Sequence, residues 1–177
     1  MKKRLFCALG ALAALSSMHA GAQLRVDMTS IDIKGVGAPI GTVEIAPAGN
    51  GGVTLTPNLH GLPPGQHGFH VHQFANCGAK EKDGKMSPGE MAGEHFDPQK
   101  THVHGGATGN GHLGDLPPLT VDAQGNANQA MVAPRLAMKD LRRKSLVIHE
   151  GGDNQSDKPK PNGGGGTRIA CGVIGEK

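Results

Sequence analysis

Aromatic residues are almost absent from this sequence, which contains no tryptophan, no tyrosine and only four phenylalanines. Proteins that bind single-stranded nucleic acid stack bases on aromatic side chains and follow the phosphates with basic grooves. Lysine and arginine form no long run here. The sequence therefore argues against nucleic-acid binding.

A hydrophobic run long enough to cross a bilayer, about 20 residues, is also absent from the sequence. The apolar stretch 5–15 is shorter. It follows the basic residues Lys2 to Arg4 and precedes small residues that end at Ala20-Gly21-Ala22. This arrangement is typical of a cleaved export signal. The sequence predicts a signal peptide over 1–22, a mature domain over 23–177 and no membrane span.

The chain has no excess of positive or negative charge once the predicted signal is removed. The signal holds three of the 18 lysines and arginines and none of the 15 acidic residues, so the mature chain has 15 of each. The pI of about 8.8 for the whole sequence is therefore no sign of a nucleic-acid partner.

Cysteine is scarce as well. Cys7 lies in the predicted signal, which leaves Cys77 and Cys171. Two cysteines in an exported chain predict one disulfide. The alternative is two free, buried thiols.

Glycine and proline divide the sequence into short alternating segments that predict an all-β domain. Strands are predicted over 24–33, 41–46, 53–56, 66–73, 145–149 and 169–174, with a break at 35–39 and a hairpin over 119–133. The stretches 74–116 and 150–167 show little periodicity and predict two long loops. A loop as long as the first is uncommon in a compact domain and is reasonable if metal ligands organise it. We expect a β-sandwich or barrel with Greek-key connections.

Histidine, by contrast, is abundant, with ten in the sequence. His19 lies in the predicted signal. The other nine are His60, His67, His70, His72, His95, His102, His104, His112 and His149.

The spacing of these histidines predicts metal sites. His70 and His72 lie two apart in a predicted strand, so their side chains share a face and can converge on one ion; the alternative is a polar outer face. His149 ends an apolar strand, where it could be structural or a further ligand. Three further histidines and one carboxylate suit tetrahedral zinc. They are His95, His104, His112 and Asp115. The alternative is a solvated polar loop.

Five segments, taken in order, resemble the copper/zinc superoxide dismutase family. They are GFHVH at 68–72, AGEHFDP at 92–98, GHLGDLP at 111–117, VIHEGGD at 147–153 and GGGGTRIACGVI at 163–174. The segments 131–135 and 156–159 resemble its bacterial periplasmic branch. The resemblance covers essentially the whole mature chain and implies a periplasmic, eight-stranded antiparallel Greek-key barrel or sandwich with two long functional loops.

The same resemblance implies the site residues. Copper would be bound by His70, His72, His95 and His149, and zinc by His95, His104, His112 and Asp115. His95 would bridge the two ions, and Asp153 would link copper and zinc histidines. Arg168 would lie beside the copper, near a loop held by a Cys77–Cys171 disulfide.

The activity implied is dismutation of superoxide to oxygen and hydrogen peroxide, in antioxidant defence, by a redox-cycling copper and a zinc without a redox role. Arg168 and His95 would be the catalytic side chains. Lys80, Lys82 and Lys85 are candidates for steering the anionic substrate, or else part of a solvated loop. The scarcity of aromatic residues for an interface favours a monomer over a homodimer.

Two residues depart from the family pattern. Glu94 stands before His95 where a small residue or proline is expected, and it would oppose an anionic substrate unless it points into solvent. His102 is an alternative zinc ligand to His104. Two other functions remain open from the sequence: an exported copper/zinc buffer or chaperone on the same fold, and a non-enzymatic β-sandwich interaction module.

Overall fold

The computed structural model of the protein describes residues 23–175. The predicted signal peptide, with Cys7 and His19, lies outside the described residues. The strands are β1 (Leu24–Asp32), β2 (Gly35–Pro47), β3 (Val53–Leu59), β4 (Gly65–His67), β5 (Phe69–His72), β6 (Lys80–Lys82), β7 (Lys85–Ser87), β8 (Leu119–Val121), β9 (Met131–Ala133), β10 (Lys144–His149) and β11 (Arg168–Ile174). Short 3-10 helices cover Glu90–Ala92, Met138–Leu141 and Asn162–Gly164.

Seven strands form one antiparallel sheet in the order β5-β10-β11-β1-β2-β3-β9. The run β11-β1-β2-β3 is a Greek key, because the last strand returns beside the first of three consecutive strands. β4 precedes β5 and is separated from it only by Gly68. β4 pairs with β8, and Ala127 pairs with Leu59 at the end of β3. These pairings link the two edges of the curled sheet. The predicted antiparallel Greek-key fold is confirmed.

Several predicted elements were wrong in detail. Residues 35–39 do not break the chain but begin β2, which follows a two-residue turn. The predicted hairpin over 119–133 does not form, because β8 pairs with β4 and β9 pairs with β3. The turn after β8 is present, with the Gly125 amide donating to Asp122 O at 3.0 Å. A small hairpin, β6–β7, lies in the stretch predicted to be a loop.

The hydrophobic core fills the barrel through strict side-chain alternation. On β5, Phe69 and Val71 face this core, so His70 and His72 must point to the opposite face. His70 and His72 are nevertheless buried, because the long segments 94–118 and 150–167 cover that outer face. Among residues 23–175, no helix is long and apolar enough to cross a membrane.

Candidate metal centre

Two neighbouring strands and one loop bring four buried histidines together. β5 places His70 opposite Val147 and His72 opposite Ser145 on β10, and β10 ends at His149. The loop residue His95 pairs with His72 through an isolated β-bridge. One ligand atom from each of these histidines lies within 4.8 Å of the others. We call His70, His72, His95 and His149 the first cluster.

On three of these histidines, one ring nitrogen donates a hydrogen bond to a carbonyl or a carboxylate, and the other ring nitrogen is available to bind a metal ion. His72 Nδ1 donates to Gly93 O at 2.8 Å, and His149 Nδ1 donates to Gly166 O at 3.2 Å. Their Nε2 atoms lie 3.4 Å apart. His70 Nε2 donates to Asp153 at 2.8 Å, whereas its buried Nδ1 has no hydrogen-bond partner. Such outer contacts orient metal-binding imidazoles.

A second cluster converges on one oxygen of Asp115. The Nδ1 atoms of His95, His104 and His112 lie 3.1, 3.1 and 3.3 Å from Asp115 Oδ1. Nitrogen and oxygen ligands about 2.0–2.1 Å from a tetrahedral zinc are separated by roughly 3.3 Å. The spacing of these donor atoms therefore fits a zinc ion. His95 is shared by both clusters, with Nδ1 on this side and Nε2 available to the first.

Distance alone also groups His70 with His95, His104 and Asp115. We place His112 rather than His70 in the second cluster for a chemical reason. His70 Nε2 is occupied by Asp153, so its single free nitrogen, Nδ1, can serve only one ion and is counted in the first cluster. His112 Nδ1 lies 3.3 Å from Asp115 Oδ1 and is free to serve the second. His102 is exposed and lies outside both groups; its backbone amide donates to Asp97.

Asp153 joins the two clusters. Its Oδ2 accepts from His70 Nε2 and its Oδ1 accepts from His104 Nε2, both at 2.8 Å. Gly163 packs against this pair with a φ of 71°, and a Cβ atom there would collide with Asp153 Oδ1. Glycine at 163 therefore lets the 150–167 segment cover the two clusters.

The pKa shifts follow from burial and from the carboxylates. Burial, followed by the nearby His95, holds the pKa of His70 and His72 well below the usual range and lowers the pKa of His149 to about 3. Burial also lowers the pKa of His104, but Asp115 and Asp153 outweigh it and raise the value to about 9. The first cluster thus offers neutral imidazoles, and the second attracts positive charge.

These observations show that the site fits metal ions. Three buried nitrogens, Nδ1 of His70, His104 and His112, have no hydrogen-bond partner, and an unpaired buried polar atom is costly. A metal ion in each cluster would satisfy them. Four imidazoles suit copper, and three imidazoles with one carboxylate suit zinc.

A cleft of about 220 Å³ reaches His95 and His149 from the surface and is also lined by Arg168, Lys82 and Glu94. Arg168 is buried. Its Nη1 donates to Gly89 O at 2.7 Å, and its Nη2 donates to Gly93 O at 2.8 Å. The guanidinium is therefore fixed at the end of the cleft where the histidines lie.

The mouth of the cleft carries a charge network that the sequence did not reveal. Lys82 Nζ lies 3.0 Å from Glu90 and 3.4 Å from Glu94. Glu94 is 59% exposed in its side chain, so it points partly into solvent. Lys80 and Lys85 are exposed and do not line this cleft. Of the three candidate lysines, Lys82 alone contributes to its wall.

The predicted disulfide is present between Cys77 and Cys171, with Cα atoms 5.7 Å apart. It lies in a small apolar cluster with Ile31, Ala92 and Val147. Cys171 is on β11, three residues after Arg168. The disulfide thus ties the 73–93 segment, which supplies Gly89 O and Gly93 O, to the strand that carries the arginine.

Sequence reasoning missed two contributions to the site. The Gly93 carbonyl accepts from both His72 and Arg168. Arg135 donates to three carbonyls of the segment that carries His112. The acceptors are backbone atoms, which leave no signature in a sequence.

Comparison with known proteins supports the same kind of centre. Residues 39–174 match the family model described as copper/zinc superoxide dismutase. The chain is 49% identical to superoxide dismutase [Cu-Zn] 2 of Salmonella typhimurium, over 97% of this chain and 99% of that protein. It is 47% identical to superoxide dismutase [Cu-Zn] of Escherichia coli, with the same coverage.

Solved structures resemble the fold closely. Cu/Zn superoxide dismutase from Brucella abortus superposes with a TM-score of 0.84 at 47% identity, covering 86% of this chain and 99% of that one. The monomeric copper, zinc superoxide dismutase from Salmonella enterica gives a TM-score of 0.77 at 51% identity, with the same coverage.

Proposed function

This chain belongs to the copper/zinc superoxide dismutase family, and from that membership we propose how its own residues bind the metals and act on the substrate. It is an oxidoreductase with copper and zinc as its cofactors. We assign copper to the first cluster and zinc to the second. The observation that carries this assignment is the donor set of each cluster: four imidazoles in the first, and three imidazoles with the Asp115 carboxylate in the second. His95 belongs to both.

The zinc set of the proposal is His95, His104, His112 and Asp115, and the copper set is His70, His72, His95 and His149. Copper, when bound, would supply one-electron redox chemistry, and zinc would supply a fixed positive charge. Asp153 would keep both sets in register, because it orients one histidine of each through a short hydrogen bond.

Superoxide would reach the site through the cleft beside Arg168. The guanidinium attracts the small anion and, being held by two carbonyls, positions it without moving. Lys82 adds positive charge at the mouth, where Glu90 and Glu94 oppose it. Charge around a cleft changes on-rates by roughly 10- to 1,000-fold, so the balance among these side chains matters for speed.

Dismutation of two superoxide ions consumes two protons and yields one oxygen and one hydrogen peroxide. His95 Nε2 is the protein atom placed to carry one of these protons into the cleft, since His95 lines it. Burial lowers the pKa of His95, and the neighbouring Asp115 carboxylate partly offsets this effect. His95 is thus proposed both to bridge the clusters and to deliver a proton.

We propose that the protein is exported with residues 1–22 as a cleaved signal and acts in the periplasm as an antioxidant enzyme. The bacterial relatives and the basic and apolar start of the sequence support this proposal. We also propose a monomer, in line with the monomeric Salmonella enterica relative. The mass of the protein recovered from the periplasm tests cleavage before Gln23, and sedimentation of the loaded protein tests the monomer.

The bridging role of His95 can be tested by spectroscopy. Mature protein would be loaded with one Cu²⁺ in the first cluster and one Co²⁺ in the second. If one imidazolate joins the ions, exchange coupling should abolish most of the copper EPR signal. A His95→Ala variant that retains both metals should recover the signal. A full copper signal in the doubly loaded wild-type protein would refute the bridge.

A further inference from the structure

We propose that Arg135 is a positioning residue for the zinc cluster, and that it sets how firmly zinc is retained. It holds the turn that carries His112 in the shape required for binding. This inference rests on the zinc set proposed above and concerns a residue that does not itself touch the metal.

The geometry is a fork of hydrogen bonds from one guanidinium. Arg135 Nη2 donates to Gly111 O at 2.6 Å, while Nη1 donates to His112 O at 3.3 Å and to Gly106 O at 3.4 Å. The turn runs from His104 to His112, and Gly106 lies near its start. Arg135 follows β9 and precedes the 3-10 helix Met138–Leu141, so it links both ends of the turn to the barrel.

The turn needs such a link because it is rich in glycine, with Gly105, Gly106, Gly109 and Gly111. Glycine has the largest backbone freedom to lose on folding. Close packing requires it here, since a Cβ atom on Gly111 would collide with Val103 O. The sequence therefore cannot stiffen this turn from within, and side chains from outside must do so.

The His104 end of the turn is held by carboxylates. The His104 amide donates to Asp157 Oδ2 at 2.9 Å, and the Gly105 amide donates to Asp115 Oδ2 at 3.0 Å. Arg135 reaches the start of the turn only at Gly106 O, at 3.4 Å, and its two shorter hydrogen bonds are at the His112 end. The two ends are thus secured from different parts of the fold, by acceptors on one side and by a donor on the other.

Attraction between the guanidinium and the metal ion cannot explain an arginine at this position, because both are positively charged. Within the described part of the chain, Arg135 forms no ion pair with an acidic side chain; its hydrogen bonds go to carbonyl oxygens. What arginine supplies is a planar fork of donors, which lysine cannot reproduce. Arg135→Lys therefore keeps the positive charge and removes the planar fork, so it tests the fork by itself.

The experiment measures zinc release from the copper- and zinc-loaded mature protein to the chelator 4-(2-pyridylazo)resorcinol. Loss of outer contacts to a metal site typically costs 10- to 100-fold in affinity, so Arg135→Met should release zinc roughly 10- to 100-fold faster than wild type. Arg135→Lys should also release it faster. Arg142→Met is the matched control and should behave as wild type, because the Arg142 side chain is exposed and forms no hydrogen bond or ion pair with other residues of 23–175.

Copper release and the visible spectrum of Co²⁺ in the zinc site provide a readout that general loosening would not mimic. We expect an altered Co²⁺ spectrum in Arg135→Met with copper release unchanged. Zinc release from Arg135→Met no faster than from wild type would overturn the inference. So would equal acceleration of zinc and copper release together with earlier melting of the metal-free protein. A wild-type protein that fails to retain zinc would instead refute the proposed zinc set.

Discussion

Replacing both Cys77 and Cys171 by alanine is expected to destabilise the metal-free protein by about 4–5 kcal/mol. The two residues are 94 positions apart, so their bond closes a long loop in the unfolded chain. The chain-entropy relation gives about 4.7 kcal/mol for a loop of that length at 25 °C. This is a large share of the roughly 5–15 kcal/mol that stabilises a typical domain.

Urea denaturation of the metal-free protein measures this loss, since the free energy of unfolding falls linearly with denaturant. Metals are left out because they would add their own binding energy to the folded state. Wild-type protein reduced with a thiol is the internal control and should unfold at nearly the same urea concentration as the double variant. A destabilisation below about 1 kcal/mol would refute the loop-entropy reasoning.

The same variant connects stability to activity. Gly89 and Gly93, whose carbonyls hold Arg168, lie in the segment that the disulfide ties to β11. Without the disulfide, Arg168 should be less well fixed, and superoxide removal by the loaded variant should be slower than in wild type. Equal rates would show that the hydrogen bonds alone are sufficient to position the guanidinium.

Three further substitutions follow from the site. Asp153→Asn should weaken both metal sites, roughly 10- to 100-fold in affinity, because His70 and His104 donate to different oxygens of the carboxylate and the uncharged amide keeps only one acceptor; chelator competition measures this, and unchanged affinities would contradict it. His104→Ala should lose zinc while His102→Ala keeps it, as metal analysis would show; the reverse result would assign the ligand to His102. Glu94→Gln should speed superoxide removal about twofold at low salt, because a unit charge about 10 Å from the substrate is worth about 0.4 kcal/mol in water. A rate that does not depend on ionic strength would contradict this reasoning.

Local patterns predicted the parts of the site that one strand fixes. The alternation around Val71 placed His70 and His72 on one face because strand geometry has a period of two, and the apolar run before His149 predicted β10. Local patterns failed where pairing is non-local. The run 119–133 looked like a hairpin, yet its two halves pair with β4 and β3, and alternation does not specify a partner.

Residue type and spacing suggested a zinc set in the loop, but the bridging role of His95 and the choice of His104 over His102 came only through family resemblance. His95 reaches His72, and Asp115 reaches His70, through isolated bridges between residues far apart in sequence. No periodicity marks such contacts. The role of Arg135 left no signal either, since its side chain binds carbonyl oxygens that every residue possesses. Backbone acceptors and long-range loop packing are what the sequence alone could not provide.

The most direct test of the proposed function is pulse radiolysis of superoxide with mature protein loaded with copper and zinc. We expect fast, copper-dependent removal that is absent from a zinc-only protein and from His72→Ala, which lacks one proposed copper ligand. Removal no faster than in free solution, by wild-type protein shown to hold both metals, would contradict the proposed dismutase activity and would indicate a protein that stores metal without turning over superoxide.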